Sequence, residues 1–281
     1  MSATGQRREV VLVELARYFS CGIGQLRKAV DTVQMELEGK GAIVTGGSLG
    51  IGRAIAVGLA REGANVAVNY RRHEAQANEV VSEIEAMGRH GLAVRADVTS
   101  YADGEGMVAQ VLEAFGRFDI LVCNAGITWD GVIWKMSEEQ WDSVIGVNLK
   151  GYFNYNKLAA LHFKDQKYGK IINISSINGI RGKFAQTNYA ASKGGEIALS
   201  KSLAKELGKF NVNVNVVAPG MVLTDMMEKI PPEFKNAALA ETVLGRFATP
   251  EDVADLVAFL CSDRSRHITG EVIKIDGGQY I

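Results

Sequence analysis

Three cysteines in 281 residues, Cys21, Cys123 and Cys261, are too far apart and odd in number to make a disulfide framework or a zinc ligand set. That usage implies a reducing compartment, and a cytoplasmic location is expected. The four histidines, His73, His90, His162 and His267, are scattered, so no metal centre is expected either. Lys and Arg number 31 against 32 Asp and Glu, leaving no basic surplus for a phosphate backbone to select. A nucleic-acid role is therefore set aside. No apolar run approaches the roughly 18 residues that suggest a membrane span. Aromatic residues make up only 7% of a chain that is 47% hydrophobic. The bulk is Val, Ile, Leu and Ala, which suits a parallel sheet covered on both faces by helices.

There is no internal repeat or low-complexity linker, and the length fits one doubly wound α/β domain with an extension. From Gly41 onward short Val/Ile-rich runs alternate with longer helical stretches, the pattern of βαβ units. Strands are predicted at 41–46, 65–70, 92–97, 118–123, 169–175, 212–218 and 271–276, with helices between them. Ser137-Glu138-Glu139-Gln140 has the form of a capping box, and Thr249-Pro250-Glu251-Asp252 puts proline at a first helical position with acids beside it. Residues 1–38 stand outside this alternation as a helical or disordered extension, and 39–281 form the domain. Arg7 and Arg8 precede an apolar run, but Glu14 and Arg17 cut it short and no secretion signal is expected. Leu12, Leu15, Phe19, Ile23, Leu26, Val30, Val33 and Leu37 recur at three- and four-residue steps, an amphipathic stripe that needs a surface to cover. A dispensable leader is the other expectation, because Met35 could itself begin the chain.

Gly46, Gly50 and Gly52 follow the apolar run Ala42-Ile43-Val44-Thr45, and Ser48, Leu49 and Ile51 complete the loop into the next helix. Glycines at such a junction allow a tight turn and close backbone approach to a pyrophosphate at a helix N-terminus. A dinucleotide cofactor follows. At the end of the second strand the chain reads Tyr70-Arg71-Arg72, with no carboxylate for a free ribose and two guanidinium groups for a 2′-phosphate. NADPH is therefore expected, with NAD as the alternative. Asp97 and Val98 end the third strand where an adenine could rest, and Asn124-Ala125-Gly126 supply small residues after the fourth.

Tyr189 and Lys193 stand four residues apart, thirteen residues after Ser176. Helical residues at that spacing share a face, with Cβ atoms about 5–6 Å apart. The ammonium is expected to draw the phenol below the usual tyrosine pKa of about 10 and make it a proton donor. Ser175, on the opposite strand face from Ser176, is not the serine meant.

Together with Asn148, these residues resemble the short-chain dehydrogenase/reductase family over 40–281, most closely its bacterial 3-oxoacyl-[acyl-carrier-protein] and acetoacetyl-CoA reductases. The resemblance implies a Rossmann domain with a seven-stranded parallel sheet, a homotetramer, and hydride transfer to an acyl thioester on CoA or carrier protein. It makes Tyr189 the general acid, Ser176 a donor to the substrate carbonyl, and Lys193 the group that acidifies Tyr189 and binds the nicotinamide ribose. Asn148 would hold a water that replenishes the proton. Pro219, Gly220, Val222 and Thr224 would complete the cofactor site, and Asn178, Phe184 and Gln186 would meet substrate. Met221–Leu244, with Met226, Met227, Ile230, Pro231 and Pro232, would form a mobile lid. Lys167 stands where a docking arginine is frequent, but Phe210 occupies the second such place, with Lys209 adjacent. Leu49 replaces a frequent arginine, so phosphate affinity would rest on Arg71 or Arg72. Cys123 stands where asparagine is usual and is expected to be a buried, unreactive thiol. A dehydrogenase of sugars, cyclic alcohols or other secondary alcohols shares these motifs. A non-catalytic nucleotide-binding assembly protein is the alternative of another class.

Overall fold

Seven parallel strands form one sheet: β1 (Gly41–Val44), β2 (Asn65–Tyr70), β3 (Gly91–Arg95), β4 (Ile120–Cys123), β5 (Gly169–Ile174), β6 (Val212–Pro219) and β7 (Val272–Ile275). Their order is β3-β2-β1-β4-β5-β6-β7. This computed structural model describes residues 35–224, 227 and 231–281. The helices are α1 (Gly50–Arg61), α2 (Glu74–Ala86), α3 (Tyr101–Phe115), α4 (Glu138–Ile145), α5 (Gly151–Gln166), α6 (Asn178–Arg181), α7 (Thr187–Leu207), α8 (Pro232–Glu241) and α9 (Pro250–Cys261). All seven expected strands are present. The first ends two residues early because Gly46 takes φ +61 and turns the chain out of the sheet.

Alternation along each strand divides the core. Ala42, Val44, Ile120 and Val122 point to the face covered by α1, α2 and α9, while Ile43 and Leu121 point to the face covered by α3, α5 and α7. Each such side chain is fully buried, and for the Val, Ile and Leu among them that is worth about 1.5–3 kcal/mol against exposure. Both faces are thus apolar, as the low aromatic and high Val/Ile content requires. Between β1 and β4 the strand order reverses, and the crevice beyond the carboxyl ends of those strands is where ligands bind in open α/β sheets.

Local signals placed the helix starts well. Ser137 and Gln140 form a capping box, and so do Thr249 and Asp252, with Pro250 at the first turn of α9. Leu37, the last apolar position of the N-terminal stripe, is buried in the core, and its N–H donates to the Glu62 carbonyl at 2.8 Å. The stripe from Leu12 to Val33 lies outside the described residues. In the expected lid segment Pro232 begins α8 and Met227 is buried, while Met226 and Ile230 lie outside the described residues.

Candidate active site

The glycine loop is built by close packing. A methyl group on Gly46 would lie 2.9 Å from the Ala125 Cα, and one on Gly52 would lie 2.2 Å from the Gly46 carbonyl oxygen. Gly50 differs: it has φ +53, and the nearest atom to its hypothetical Cβ is Thr224 Cγ2 at 3.5 Å. Gly52 therefore serves contact, Gly50 serves conformation, and Gly46, with φ +61, serves both. Leu49 caps α1 without any side-chain bond, so no side chain at the N-cap occupies the amides that begin the helix. Ser48 is buried, Leu49 is exposed, and Ile51 is half-buried against the core.

Three polar side chains fasten this loop to its neighbours. Thr45 Oγ1 accepts from the Asn124 and Ala125 N–H groups at 2.9 and 3.1 Å, and the Asn124 amide donates back to the Thr45 and Gly46 carbonyls. Asn69, buried mid-strand in β2, accepts from the Gly46 N–H at 3.1 Å and donates to the Ala96 carbonyl at 2.8 Å. Neither Thr45 nor Asn69 was singled out from sequence. A polar residue inside the apolar run Val66–Tyr70 was the available signal.

Arg71 and Arg72 are exposed at the end of β2, but Arg71 is engaged: its guanidinium lies 3.3 Å from Asp97 Oδ2. The other Asp97 oxygen accepts from the Thr99 N–H and hydroxyl at 2.9 and 2.8 Å. Burial pushes the Asp97 carboxyl up, but these bonds and the Arg71 charge bring it below the usual carboxylate range. Sequence offered no carboxylate beside the arginines; the fold brings one across from the end of β3. The Tyr70 ring is buried, and Val98 packs beneath Gly151 with its carbonyl held by Asn154.

Ser176, Tyr189 and Lys193 are brought together where α6 meets α7. A methyl on Gly179 would lie 2.7 Å from the Lys193 backbone, so the missing side chain lets α6 dock on that turn. The Ser176 hydroxyl then sits beside the Tyr189 phenol, close enough to draw its pKa down, and accepts from the Asn178 N–H at 3.1 Å. Ser175 is turned away, donating to the Lys193 carbonyl at 2.8 Å. Lys193 Nζ lies 5.8 Å from the Tyr189 ring centroid and donates to the Ile174 carbonyl and to Glu196, each at 2.8 Å. Gly126 connects the two halves of the site, since its hypothetical Cβ would stand 3.7 Å from that ammonium.

The expected acidification of Tyr189 is not what the resting site shows. Surrounding protein pushes the phenol's pKa up, past the opposing pull of Lys193 and the Ser176 hydroxyl, and Glu196 and Asp130 add to the rise. Sequence spacing identified the cation but not the carboxylate that shares it. Asn148 is fully buried in a π turn, Gly146–Lys150. Its amide donates to the Ile127 carbonyl and Ser192 hydroxyl and accepts from the Ile127 N–H. Cys123 is buried, and burial drives its thiol pKa well up.

Two residues beyond Ser176, Asn178 donates to Gln186 at 3.2 Å, and Gln186 donates to Asp130 at 2.9 Å. Ala185 takes a left-handed φ of 60, which aims the buried Gln186 inward while Phe184 stays 81% exposed. Pro219 ends β6 and Gly220 follows it, pressed against Asp276 and Gln279; Val222 pairs with Ala248, and Thr224 faces the glycine loop. Among the described residues no group of three His, Cys, Asp or Glu could hold a metal. No described helix is long and apolar enough to cross a membrane.

A doubly wound sheet with a glycine loop at its switch point and a Ser, Tyr and Lys constellation beside it defines a nucleotide-dependent reductase. Residues 46–279 match a family model described as Enoyl-(Acyl carrier protein) reductase, and the chain belongs to the short-chain dehydrogenase/reductase family. It is therefore an oxidoreductase of CH–OH groups working with a nicotinamide cofactor. Among known proteins it is 45% identical over 242 residues to the 3-oxoacyl-[acyl-carrier-protein] reductase FabG of Staphylococcus aureus, covering 86% of this chain and 98% of that protein. The namesake proteins of Staphylococcus epidermidis and Thermotoga maritima are each 44% identical, over 242 and 247 residues, with 86% and 88% of this chain and 99% and 100% of theirs covered.

Proposed function

We propose that this chain reduces 3-oxoacyl thioesters to 3-hydroxyacyl thioesters with NADPH. The observation that carries the reading is the placement of the Ser176 and Tyr189 hydroxyls beside Lys193, two donors available where a carbonyl oxygen would gain charge. The close homologues named for that reaction support the choice of substrate.

The loop glycines, the free amides of α1 and Asn124-Ala125-Gly126 fit a dinucleotide, because a side chain at Gly46 or Gly52 would fill the cradle. Arg71 and Arg72 supply cations for a 2′-phosphate, with Asp97 and Val98 beside the adenine, and Pro219, Gly220, Val222 and Thr224 beside the nicotinamide half. When bound, the cofactor supplies the hydride. Tyr189 gives its phenolic proton to the carbonyl oxygen while Ser176 donates a second hydrogen bond to it. Lys193 steadies the developing phenolate and reaches the ribose, and Asn148 helps return the proton from solvent. Asn178 and Gln186 orient the acyl thioester, and Phe184 gives it an apolar edge. The assembly proposed is a homotetramer, supported by the exposed apolar side chains Phe153 and Leu161 on α5.

NADPH oxidation measured with acetoacetyl-CoA, acetoacetyl-carrier protein, crotonyl-CoA and a cyclic ketone, and with glucose in reverse, tests the reading. Turnover of both acetoacetyl thioesters is expected. Exclusive turnover of the cyclic ketone or glucose would replace it with the secondary-alcohol alternative, and turnover of crotonyl-CoA alone with alkene reduction. Comparing the two carriers at low and high salt, before and after Lys167→Glu, shows how much an acidic carrier relies on that exposed cation.

A further inference from the structure

One turn beyond Lys193 on α7, Glu196 is a carboxyl with no exposure to solvent. Its Oε1 accepts from the Lys193 ammonium at 2.8 Å, while Oε2 has no hydrogen-bond partner among the described residues. The ammonium's remaining described acceptors are the Ile174 carbonyl at 2.8 Å and the Tyr152 phenol at 3.3 Å. Tyr152 gives its own proton to the same carbonyl at 2.9 Å. Lys193 is thus held from within the core before any ligand arrives. Burying a carboxylate with one oxygen unpaired is unfavourable, and an apolar side chain of similar size would fill the space. Proton transfer as described above uses Tyr189, Ser176, Lys193 and Asn148 and does not require it.

We propose that Glu196 is a positioning residue acting through Lys193: its carboxylate anchors the ammonium and offsets part of the positive charge that Lys193 presents to Tyr189. The proposal rests on the reading of Tyr189 as the proton donor. The groups facing this pair are Tyr189 on α7 itself, Tyr152 on α5 and Cys123 on β4, and Asp130 adds its charge from the loop beyond β4. Burial, against the pull of Lys193, moves the Glu196 carboxyl up to about 8, still below the usual tyrosine value of about 10, so the carboxyl loses its proton before the phenol does. The phenol then keeps its proton to higher pH than it would beside an unshared ammonium. Since the overall equilibrium is independent of the enzyme, Glu196 does not favour one direction. It moves the pH window in which both directions run.

The test is an ultraviolet titration of tyrosinate, taken as the difference between each protein and its Tyr189→Phe counterpart, which isolates one of eight tyrosines and needs no substrate. Glu196→Gln is expected to lower the Tyr189 midpoint by about one pH unit, the scale set by a nearby charge. The alkaline limb of kcat/KM for reduction should move by the same amount, and Glu196→Asp should restore most of the shift. Glu196→Met, which fills the volume without a charge, should repeat the result and makes the test independent of one variant's folding. A merely structural Glu196 would reduce melting temperature and turnover at every pH while leaving the midpoint in place, and that result overturns the proposal. A shifted midpoint in an enzyme that turns over no thioester would instead refute the substrate assignment while upholding the role of Glu196.

Discussion

Replacing Gly52 by alanine separates a ligand cradle from an ordinary turn. The added methyl would lie 2.2 Å from the Gly46 carbonyl oxygen and 2.4 Å from Asn124 Nδ2. Neither can yield freely, because those two atoms are themselves bonded at 3.1 Å and the Asn124 amide also holds the Thr45 carbonyl. Overpacking of this kind costs about 1–3 kcal/mol, and loss of the Asn124 bond about 1 more. A total of about 2–4 kcal/mol implies a fall in melting temperature of roughly 5–15 °C for a domain of this size. If even about 1.4 kcal/mol of the distortion falls on the loop in its bound form, NADPH affinity drops tenfold. Gly50→Ala supplies the contrast. It forces a left-handed conformation at a cost of about 1–2 kcal/mol, yet its methyl meets nothing nearer than 3.5 Å. Thermal melts and NADPH fluorescence titrations of both variants check the argument. NADPH binding by Gly52→Ala within twofold of wild type, or a larger thermal loss in Gly50→Ala, would refute it.

Tyr189→Phe removes one hydroxyl and keeps the helix, so turnover should fall by about 10²–10⁴-fold with NADPH binding retained; near-normal activity would sink the acid assignment. Arg71→Asp places a carboxylate beside Asp97 where an ion pair stood, and the ratio of kcat/KM for NADPH over NADH should fall at least about tenfold. An unchanged ratio in the Arg71/Arg72 double substitution would place phosphate recognition elsewhere. Asn69→Ala leaves the Gly46 N–H and the Ala96 carbonyl without their bonds, and at about 1–3 kcal/mol for each buried unpaired group it should lower stability to urea unfolding by at least about 2 kcal/mol. A change below about 0.5 kcal/mol would show that water or backbone movement replaces Asn69.

Strands and helix starts were legible because their signals are local. Val/Ile runs give a period, and Ser137 or Thr249 followed by Gln140 or Asp252 gives a cap three residues on. Tyr189 and Lys193 were legible for the same reason, since one helix turn relates them. Asp97 beside Arg71 was not, because the pair joins the ends of β2 and β3, 26 residues apart in sequence. Glu196 lay at an informative spacing from Lys193, but a charge on a long helix reads as a solvated face until packing shows which side α7 buries. The acidity of Tyr189 was misjudged accordingly: spacing reveals a neighbouring charge, whereas burial depends on the whole fold.

The first turns of α7 are fastened to the loop after β4 by side chains that touch no reacting atom. Asn188 donates to the Trp129 and Gln140 carbonyls and accepts from the Tyr189 N–H, and Ser192 bridges the Asn148 amide and the Tyr189 carbonyl. Asn148 in turn grips both backbone groups of Ile127, one residue beyond Gly126. Through these bonds Tyr189, the π turn and the strand end beside the glycine loop are tied together, and Gln186 joins them through Asp130. Preorganised donors are effective because little reorganisation is needed as charge develops. A displacement of Tyr189 would have to break buried bonds at Asn188 and Ser192 together, so the geometry at the phenol is secured by the same polar chains that shape the crevice around it.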